Sequence, residues 1–264
     1  MTALARSVAM LDSGLGGLSV LTALRQALHD VDVVYFADTA RVPYGDRTLR
    51  EVAAFGQQII ERLRLAEPGL IIVASGTTCA AFEAIAWKPD GIPMLGVVAS
   101  GTRAAIPRSA SGRIGVIATA ATIDSGIFER RLKEMNSSLS ITSVGAPKLV
   151  PLVESGKWAS DDAKAAVDEY CQPFRAAACD AVILGCTHFP HLHQWFERSL
   201  GADVALIDPA IACAEDAAKL IGESPAASGS LTFEVSGNAA EFAQRAFELA
   251  GVRAQTTRHV NFLD

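Results

Sequence analysis

Short apolar runs alternate with longer segments of helical spacing along almost the whole chain. An apolar run bounded by small polar residues is typical of a strand buried in a parallel sheet, and apolar residues three and four apart are typical of a helix packed on it. Predicted strands cover residues 7–11, 31–36, 69–73, 93–98, 114–118, 140–144, 182–184, 204–207 and 231–235. Predicted helices begin near residue 18 and after residue 78, and cover residues 49–65, 161–178, 211–221 and 239–249.

This alternation predicts an α/β fold with mostly parallel sheets and helices on both faces. Because the strands fall into two similar sets, we expect two pseudo-symmetric three-layer α/β/α domains with the active site between them. The first predicted domain is residues 1–97 plus 209–264, since the tail returns to the first half, and the second is residues 98–208. A chain of 264 residues can bury a substantial core in either one or two units.

Composition narrows the functional classes. The net charge of −6 argues against nucleic acid as a partner, because such proteins carry a clustered basic face. No apolar run is long enough to span a bilayer and no basic segment leads into a signal-type run, so we expect a soluble, cytoplasmic protein that is not bound to a membrane. The five cysteines show no paired spacing and are predicted to be free thiols.

The strand at 182–184 ends in Gly-Cys-Thr-His at residues 185–188, at the kind of sheet edge where open α/β folds bind ligands. A thiol at a strand-to-helix turn receives backbone N–H dipoles that favour the thiolate. His188 either favours the thiolate of Cys186 further or acts as a separate acid. A buried structural cysteine fits the same pattern. Metal ligation by Cys186 with the nearby histidines is the less supported interpretation, because a second ligand pair from a distant segment is not apparent.

Residues 12–17 read Asp-Ser-Gly-Leu-Gly-Gly after the first strand. They do not fit the dinucleotide fingerprint, because its third glycine is replaced by Ser19. A turn so rich in glycine permits close backbone approach to a small polar ligand. Asp12 either caps the next helix or contacts the ligand's ammonium group or a catalytic partner. The turn at residues 43–45 either holds a carboxylate with backbone donors or is an ordinary tight loop.

Several hydroxyl side chains follow strands at predicted helix starts. A single threonine there is an ordinary N-cap, whereas several at one cleft edge form a carboxylate-binding surface without fixed positive charge. These residues are Thr77, Thr119, Thr122 and Thr187. Glu154 ends a Pro-x-x-Glu turn, and alone it is typical of a surface or capping carboxylate.

Six segments resemble, in order and over nearly the whole chain, motifs of the glutamate racemases in the cofactor-independent aspartate/glutamate racemase superfamily. The matching segments are residues 12–20 (DSGLGGLSV), 36–45 (FADTARVPYG), 101–105 (GTRAA), 118–122 (ATAAT), 150–154 (VPLVE) and 184–190 (LGCTHFP).

The resemblance implies two facing domains with a small amino acid or dicarboxylate between them. In such a site one thiolate removes the α-proton and a thiol on the opposite face returns one. Cys186 is then the base on one face, with Asp12 and His188 assisting the two thiols. The implied substrate-binding residues are Ser13, Pro43, Tyr44, Gly45, Gly76, Thr77, Thr119, Thr122, Glu154 and Thr187. The resemblance also implies no organic cofactor or metal, a homodimer, and a role in peptidoglycan synthesis for the cell wall.

One motif departs from the family pattern. Where the family has Ala-Cys-Asn-Thr, this chain has Ala-Ser-Gly-Thr at residues 74–77, so Ser75 stands in the place of the first thiol. A serine hydroxyl is a far weaker acid than a thiol, and we expect proton transfer on that face to slow by orders of magnitude. Cys79 lies one helical turn further on, roughly 6 Å of rise away, and is expected to be a packed core cysteine.

Three functions follow from these residues. The first is an amino-acid racemase of the glutamate racemase type that uses Ser75 or water on one face. The second is a one-thiol decarboxylase resembling arylmalonate decarboxylase, in which loss of carbon dioxide forms the carbanion. The third is a non-catalytic relative of the racemases that binds a small carboxylate. Retention of Asp12, Cys186 and His188 favours an enzyme over a binding protein.

Overall fold

A computed structural model describes residues 6–222 and 227–262 of the chain. Within these ranges, the strands are β1 (Ser7–Asp12), β2 (Asp32–Ala37), β3 (Leu70–Val73), β4 (Met94–Gly96), β5 (Arg113–Ala118), β6 (Ser140–Gly145), β7 (Ala181–Leu184), β8 (Ala205–Ile207), β9 (Leu231–Val235) and β10 (Thr256–His259). The helices are α1 (Leu18–Ala27), α2 (Leu49–Arg64), α3 (Gly76–Ala84), α4 (Val97–Ala105), α5 (Ala120–Asp124), α6 (Ile127–Met135), α7 (Leu149–Glu154), α8 (Asp161–Ala176), α9 (His193–Leu200), α10 (Pro209–Ile221) and α11 (Ala239–Ala250). Short 3-10 turns cover Tyr44–Asp46, Ile106–Arg108 and Phe189–Leu192.

The strands form two parallel sheets. The first has the order β10-β9-β2-β1-β3-β4 and the second the order β6-β5-β7-β8. Every strand pair in both sheets is parallel. The predicted α/β class with mostly parallel sheets is therefore confirmed. The boundaries expected between two domains stay a prediction.

Each sheet is covered by helices on both faces. Alternate residues of the first sheet pack against α1, α10 and α11 on one side and against α2 and α3 on the other. The second sheet packs against α7, α8 and α9 on one face and against α4 and α6 on the other. The cores are dominated by aliphatic side chains, as expected for strands that lie between two helical layers.

Polar caps fix where the helices begin. Thr48 and Glu51 form a reciprocal capping box at the start of α2, and Ser160 accepts a hydrogen bond from the Ala163 N–H at the start of α8. Ser75 and Thr119 cap α3 and α5 in the same way. These two caps matter for the site, because both lie where a strand of one sheet ends.

Two predicted elements differ from the structure. The strand expected at 93–98 ends at Gly96, because Val97 begins α4, a buried helix whose apolar run cannot be told from a strand by periodicity. The turn expected before Glu154 is the helix α7, which accommodates Pro151 in its first turn, where no backbone N–H is needed.

The last strand, β10, has no counterpart in the predicted elements. All four of its residues are exposed, and it lies at the edge of the first sheet. Such a polar edge strand lacks the apolar alternation that marks a half-buried strand. In the described part of the chain, none of the helices is both long and apolar enough to cross a membrane.

Candidate active site

The thiol of Cys186 lies just past the carboxyl end of β7, in the interior of the second sheet. The Gly185 N–H donates to the Ile117 carbonyl at 2.7 Å, which continues the sheet for one residue. A Cβ on Gly185 would lie 2.9 Å from the Phe128 ring, so glycine is required for this close packing. The chain then turns, with the Phe189 N–H donating to the Cys186 carbonyl at 2.9 Å. This turn brings the thiol and the His188 ring to the same side.

His188 connects Cys186 to Glu154, the last residue of α7. Its Nδ1 lies 3.7 Å from Cys186 Sγ and its Nε2 lies 3.3 Å from Glu154 Oε1. Burial works to lower the pKa of His188, but the hydrogen bonds to Cys186 and Glu154 outweigh it and raise the pKa to about 10. The hydrogen bond from His188 in turn lowers the pKa of Glu154. The result is a chain of contacts from the Cys186 sulfur through the His188 imidazolium to the Glu154 carboxylate.

Asp12 lies at the carboxyl end of β1 and organises the glycine-rich turn. Its Oδ2 accepts hydrogen bonds from the N–H groups of Gly14 at 2.9 Å and Gly17 at 3.0 Å. Burial raises the pKa of Asp12, while those N–H groups and the charge of His188 act in the opposite direction. Asp12 therefore holds the turn before α1 through the N–H of Gly17, the N-cap residue of that helix, and it also lies within electrostatic reach of His188. Its catalytic role stays a prediction.

The two halves of the candidate site are in close contact. A Cβ on Gly16 would lie 2.3 Å from Thr187 Oγ1 and 2.7 Å from His188 Cε1. A Cβ on Gly76, just after Ser75, would lie 3.2 Å from the Gly185 carbonyl oxygen. The glycines that the sequence places after β1 and β3 therefore permit the two sheet edges to approach each other.

Hydroxyl groups from both halves form a row. Thr119 Oγ1 donates to Thr122 Oγ1 at 2.9 Å, and Thr122 Oγ1 lies 3.4 Å from Thr77 Oγ1. Thr119 is also the N-cap of α5. The structure thus brings together three of the four threonines by direct contact, and the fourth, Thr187, lies against the glycine turn at Gly16.

Ser75 is buried at the N-cap of α3, where its Oγ accepts a hydrogen bond from the Thr78 N–H at 3.2 Å. Over residues 6–222 and 227–262, no carboxylate or imidazole lies within hydrogen-bond distance of this hydroxyl. Cys79 does not point into the same place, because its thiol lies 3.7 Å from the Val73 carbonyl and against Gly96. Burial raises the pKa of Cys79 to about 11, as expected for a packed cysteine.

The turn at residues 43–45 is held in place by a buried hydrogen bond between Tyr44 and Asp38. Tyr44 is buried and its hydroxyl donates to Asp38, which also accepts hydrogen bonds from Arg41 and Ser236. Pro43 and Gly45 are exposed, so the backbone of this turn faces solvent. Ser13 is half-buried beside Asp12. These positions are compatible with backbone recognition of a ligand.

Sequence reasoning missed two residues that shape the site. The Tyr35 hydroxyl donates to the Gly14 carbonyl at 2.8 Å and lies 3.4 Å from Asp12 Oδ2. Asp38 is fully buried and holds the Tyr44 turn. Tyr35 lies in the apolar run of β2, where it reads as a core residue. Asp38 follows β2 directly, a position like that of Asp12, and this was the available signal.

The described part of the chain contains no group of three or more His, Cys, Asp or Glu side chains that could hold a metal ion.

The chain is similar in sequence to known racemases. A family model described as Asp/Glu/Hydantoin racemase matches residues 15–217. The glutamate racemase of Desulforudis audaxviator is 39% identical over 257 residues, which cover 93% of this chain and 94% of that protein.

Solved structures are similar over almost the whole chain. The crystal structure of glutamate racemase isoform RacE1 from Bacillus anthracis aligns with a TM-score of 0.90 at 30% identity and covers 97% of both chains. The glutamate racemase of Francisella tularensis subsp. tularensis SCHU S4, solved in complex with D-glutamate, aligns with a TM-score of 0.85 at 27% identity, again over 97% of both chains. The family resemblance seen in the motifs is confirmed.

Proposed function

The chain belongs to the Asp/Glu/hydantoin racemase family, and on this premise we propose that it is a cofactor-independent glutamate racemase in which Cys186 transfers the α-proton on one face of the substrate. The observation that carries the role of Cys186 is the line of Cys186, His188 and Glu154 at the edge of the second sheet. This line faces the Asp12 turn of the first half, which lies in direct contact with it through Gly16.

The chemistry of the first step follows from this line. The Cys186 thiolate takes the proton from the α-carbon, and the electron pair of the broken C–H bond moves into the α-carboxylate. His188 remains an imidazolium at neutral pH, since its pKa is raised to about 10, and so it presents a positive charge to the sulfur that takes the proton. Glu154 orients the imidazolium through Nε2. A proton then returns to the α-carbon from the other face, so that the product differs from the substrate only in its configuration.

Substrate would be held by the neutral hydroxyls and backbone donors around this line. We assign the carboxylates to the row of Thr77, Thr119 and Thr122 and to Thr187, and the remaining contacts to Ser13, Gly76 and the turn at 43–45. Hydroxyl and N–H donors bind a carboxylate without a fixed positive charge. A fixed positive charge at this place would compete with His188 for the Glu154 carboxylate.

The two faces of the substrate are unequal in this proposal. Ser75 stands where proton return must occur, and its hydroxyl is held at the N-cap of α3, with no base beside it among residues 6–222 and 227–262. Return of the proton through Ser75 or a water molecule is therefore the slow step, whereas exchange on the Cys186 face is fast.

The test is proton NMR of the α-hydrogen in D₂O, begun separately from L-glutamate and from D-glutamate. We expect the enantiomer handled by Cys186 to exchange faster than it inverts, and both enantiomers to reach the same mixture. Exchange without inversion would point to a one-base enzyme, and its substrates would then be sought among those that lose carbon dioxide. Absence of both reactions would remove glutamate as the substrate.

Variants connect this test to the proposed thiol. Cys186→Ser is expected to lower both rates by about 10²- to 10⁴-fold, because it removes the acid–base group. Cys79→Ala is the matched control, since Cys79 is a packed thiol on the other side of the site. A large loss in Cys79→Ala would assign the missing thiol to Cys79 instead of Ser75.

Three further expectations stay predictions. They are a homodimer, a cytoplasmic location and a role in peptidoglycan synthesis. The first is tested by sedimentation equilibrium of the purified chain.

A further inference from the structure

Glu154 has an exposed carboxylate that nevertheless positions a buried imidazole ring. Its side chain is 44% exposed, although it forms the hydrogen bond to the buried His188 ring. Two cavities of about 220 Å³ and 180 Å³ lie beside it, and both are lined by Leu15, Glu154 and Arg245. Burial therefore does not fix the Glu154 side chain, whose position depends on its hydrogen bond to His188 and on where the end of α7 is held.

Arg245 of α11 holds the backbone from which this side chain extends. Its Nη2 donates to the Glu154 backbone carbonyl at 2.7 Å. This carbonyl ends α7 and has no acceptor role within the helix, so an arginine there is favoured both by hydrogen bonding and by the helix dipole. The charge of Arg245 also lowers the pKa of the Glu154 carboxyl, after the larger effect of the His188 hydrogen bond.

Arg245 and Glu154 belong to different halves of the molecule, where each half is one sheet with the helices that pack on it. Helix α11 packs on the first sheet, where Phe242 stacks on Tyr35 with 6.0 Å between ring centroids. Tyr35 in turn holds the glycine turn through the Gly14 carbonyl. Glu154, His188 and Cys186 all belong to the second sheet and its helices. Arg245 thus connects the element that organises Asp12 with the element that organises the thiol.

We infer that Arg245 is a positioning residue, which holds Glu154 against His188 across the two halves and thereby keeps Cys186 in its reactive state. This inference rests on the proposed role of Cys186. Loss of Arg245 frees the end of α7 into the two adjoining cavities, so that Glu154 no longer holds the imidazolium in line with the thiol. Other charged groups that act on His188 are Asp12 from β1 and His191 from the following turn, and both remain in place.

The test measures Cys186 directly, without relying on turnover. The rate of iodoacetamide alkylation of Cys186, followed by peptide mapping across pH, reports the thiolate. In Arg245→Met we expect the midpoint of this profile to move to higher pH by about one unit, because the imidazolium that stabilises the thiolate is weakened. Arg245→Lys retains a positive charge and a donor, and we expect its midpoint to stay close to that of the unsubstituted chain.

The matched control is Arg130→Met. Arg130 also joins the two halves, through Glu83 of α3 at 2.8 Å, and also donates to a backbone carbonyl, that of Ser125. It does not contact Glu154, so its alkylation profile should match that of the unsubstituted chain. An equal shift in both variants would mean that Arg245 only stabilises the contact between halves, and no shift in Arg245→Met would overturn the inference.

Kinetics add a second measurement. With glutamate as substrate, Arg245→Met is expected to lower kcat about 10-fold with little change in KM, because misplaced catalytic groups affect the chemical step more than binding. If glutamate proves not to be the substrate, the alkylation profile still decides the role of Arg245. If turnover occurs but the profile does not move, the proposed function stands and the inference about Arg245 fails.

Discussion

Gly16 lies so close to Thr187 that a Cβ on the glycine would fall 2.3 Å from the threonine Oγ1. Real side chains do not approach to that distance, so the glycine turn after β1 and the turn after β7 fit together only when residue 16 lacks a side chain. This contact sets how closely the Asp12 side of the site approaches the Cys186 side.

Replacing Gly16 with alanine is therefore expected to separate the two turns. Since the Cβ would also lie 2.7 Å from His188 Cε1, the imidazole must move, and we expect kcat/KM to fall by about 100-fold. Gly14→Ala is the control in the same turn, because in the described part of the chain its Cβ would meet only Thr39, at 4.0 Å. Steady-state kinetics with circular dichroism check both variants. Equal losses in the two would mean that the turn, and not the contact with Thr187, is what matters.

The raised pKa of His188 predicts a dependence of stability on pH. The folded-state pKa is about 10, whereas the ordinary value is 6.5, so the folded state binds the proton more tightly than the unfolded state. The stabilisation is fully present below about pH 6.5 and is lost as pH rises through about 10. Urea unfolding across this range should show the free energy of unfolding falling as pH increases. His188→Asn should flatten that fall, and an unchanged slope would contradict the raised pKa.

Much of the fold could be predicted from the sequence, because buried parallel strands carry strong local signals. The strand β9, at residues 231–235, is matched to the residue, and β5 and β6 to within one. The hydrophobic pattern mispredicts secondary structure where a helix is fully buried or a strand is fully exposed. Val97 and Val98 are buried in a helix, so they read as strand, while the exposed β10 reads as coil.

The site could be predicted in part for a different reason. Cys186, His188 and Asp12 stand at strand ends, where topology alone brings side chains to one edge. Pairings that depend on three-dimensional packing were out of reach. Nothing in the sequence around Arg245 indicates that it bonds to Glu154, 91 residues away. The assignment of Glu154 to His188, and not to solvent, also required the structure.

Tyr44→Phe tests how the turn at 43–45 is held. The change removes the hydroxyl that donates to buried Asp38, while Arg41 and Ser236 remain as partners. We expect the free energy of unfolding to fall by about 1–3 kcal/mol and KM to rise, since the backbone of the turn would be less well placed. Chemical denaturation and kinetics measure the two effects. Tyr170→Phe, at a half-buried tyrosine on α8, should change neither quantity. If Tyr44→Phe instead lowers kcat at constant KM, the turn does not have a binding role.

Ser75→Cys is expected to raise activity while it lowers stability. A thiol at residue 75 supplies an acid that ionises far more readily than a hydroxyl, so proton return on that face should accelerate by about 10-fold or more. The same change weakens the N-cap of α3, where Ser75 Oγ accepts from the Thr78 N–H, and should cost about 1 kcal/mol. Inversion of each enantiomer, followed by polarimetry, and thermal unfolding measure the two effects. Ser75→Ala separates them, because it loses the cap without gaining a thiol, and it should be both less stable and slower. If Ser75→Cys inverts glutamate no faster than the unsubstituted chain, proton return at residue 75 is not the slow step.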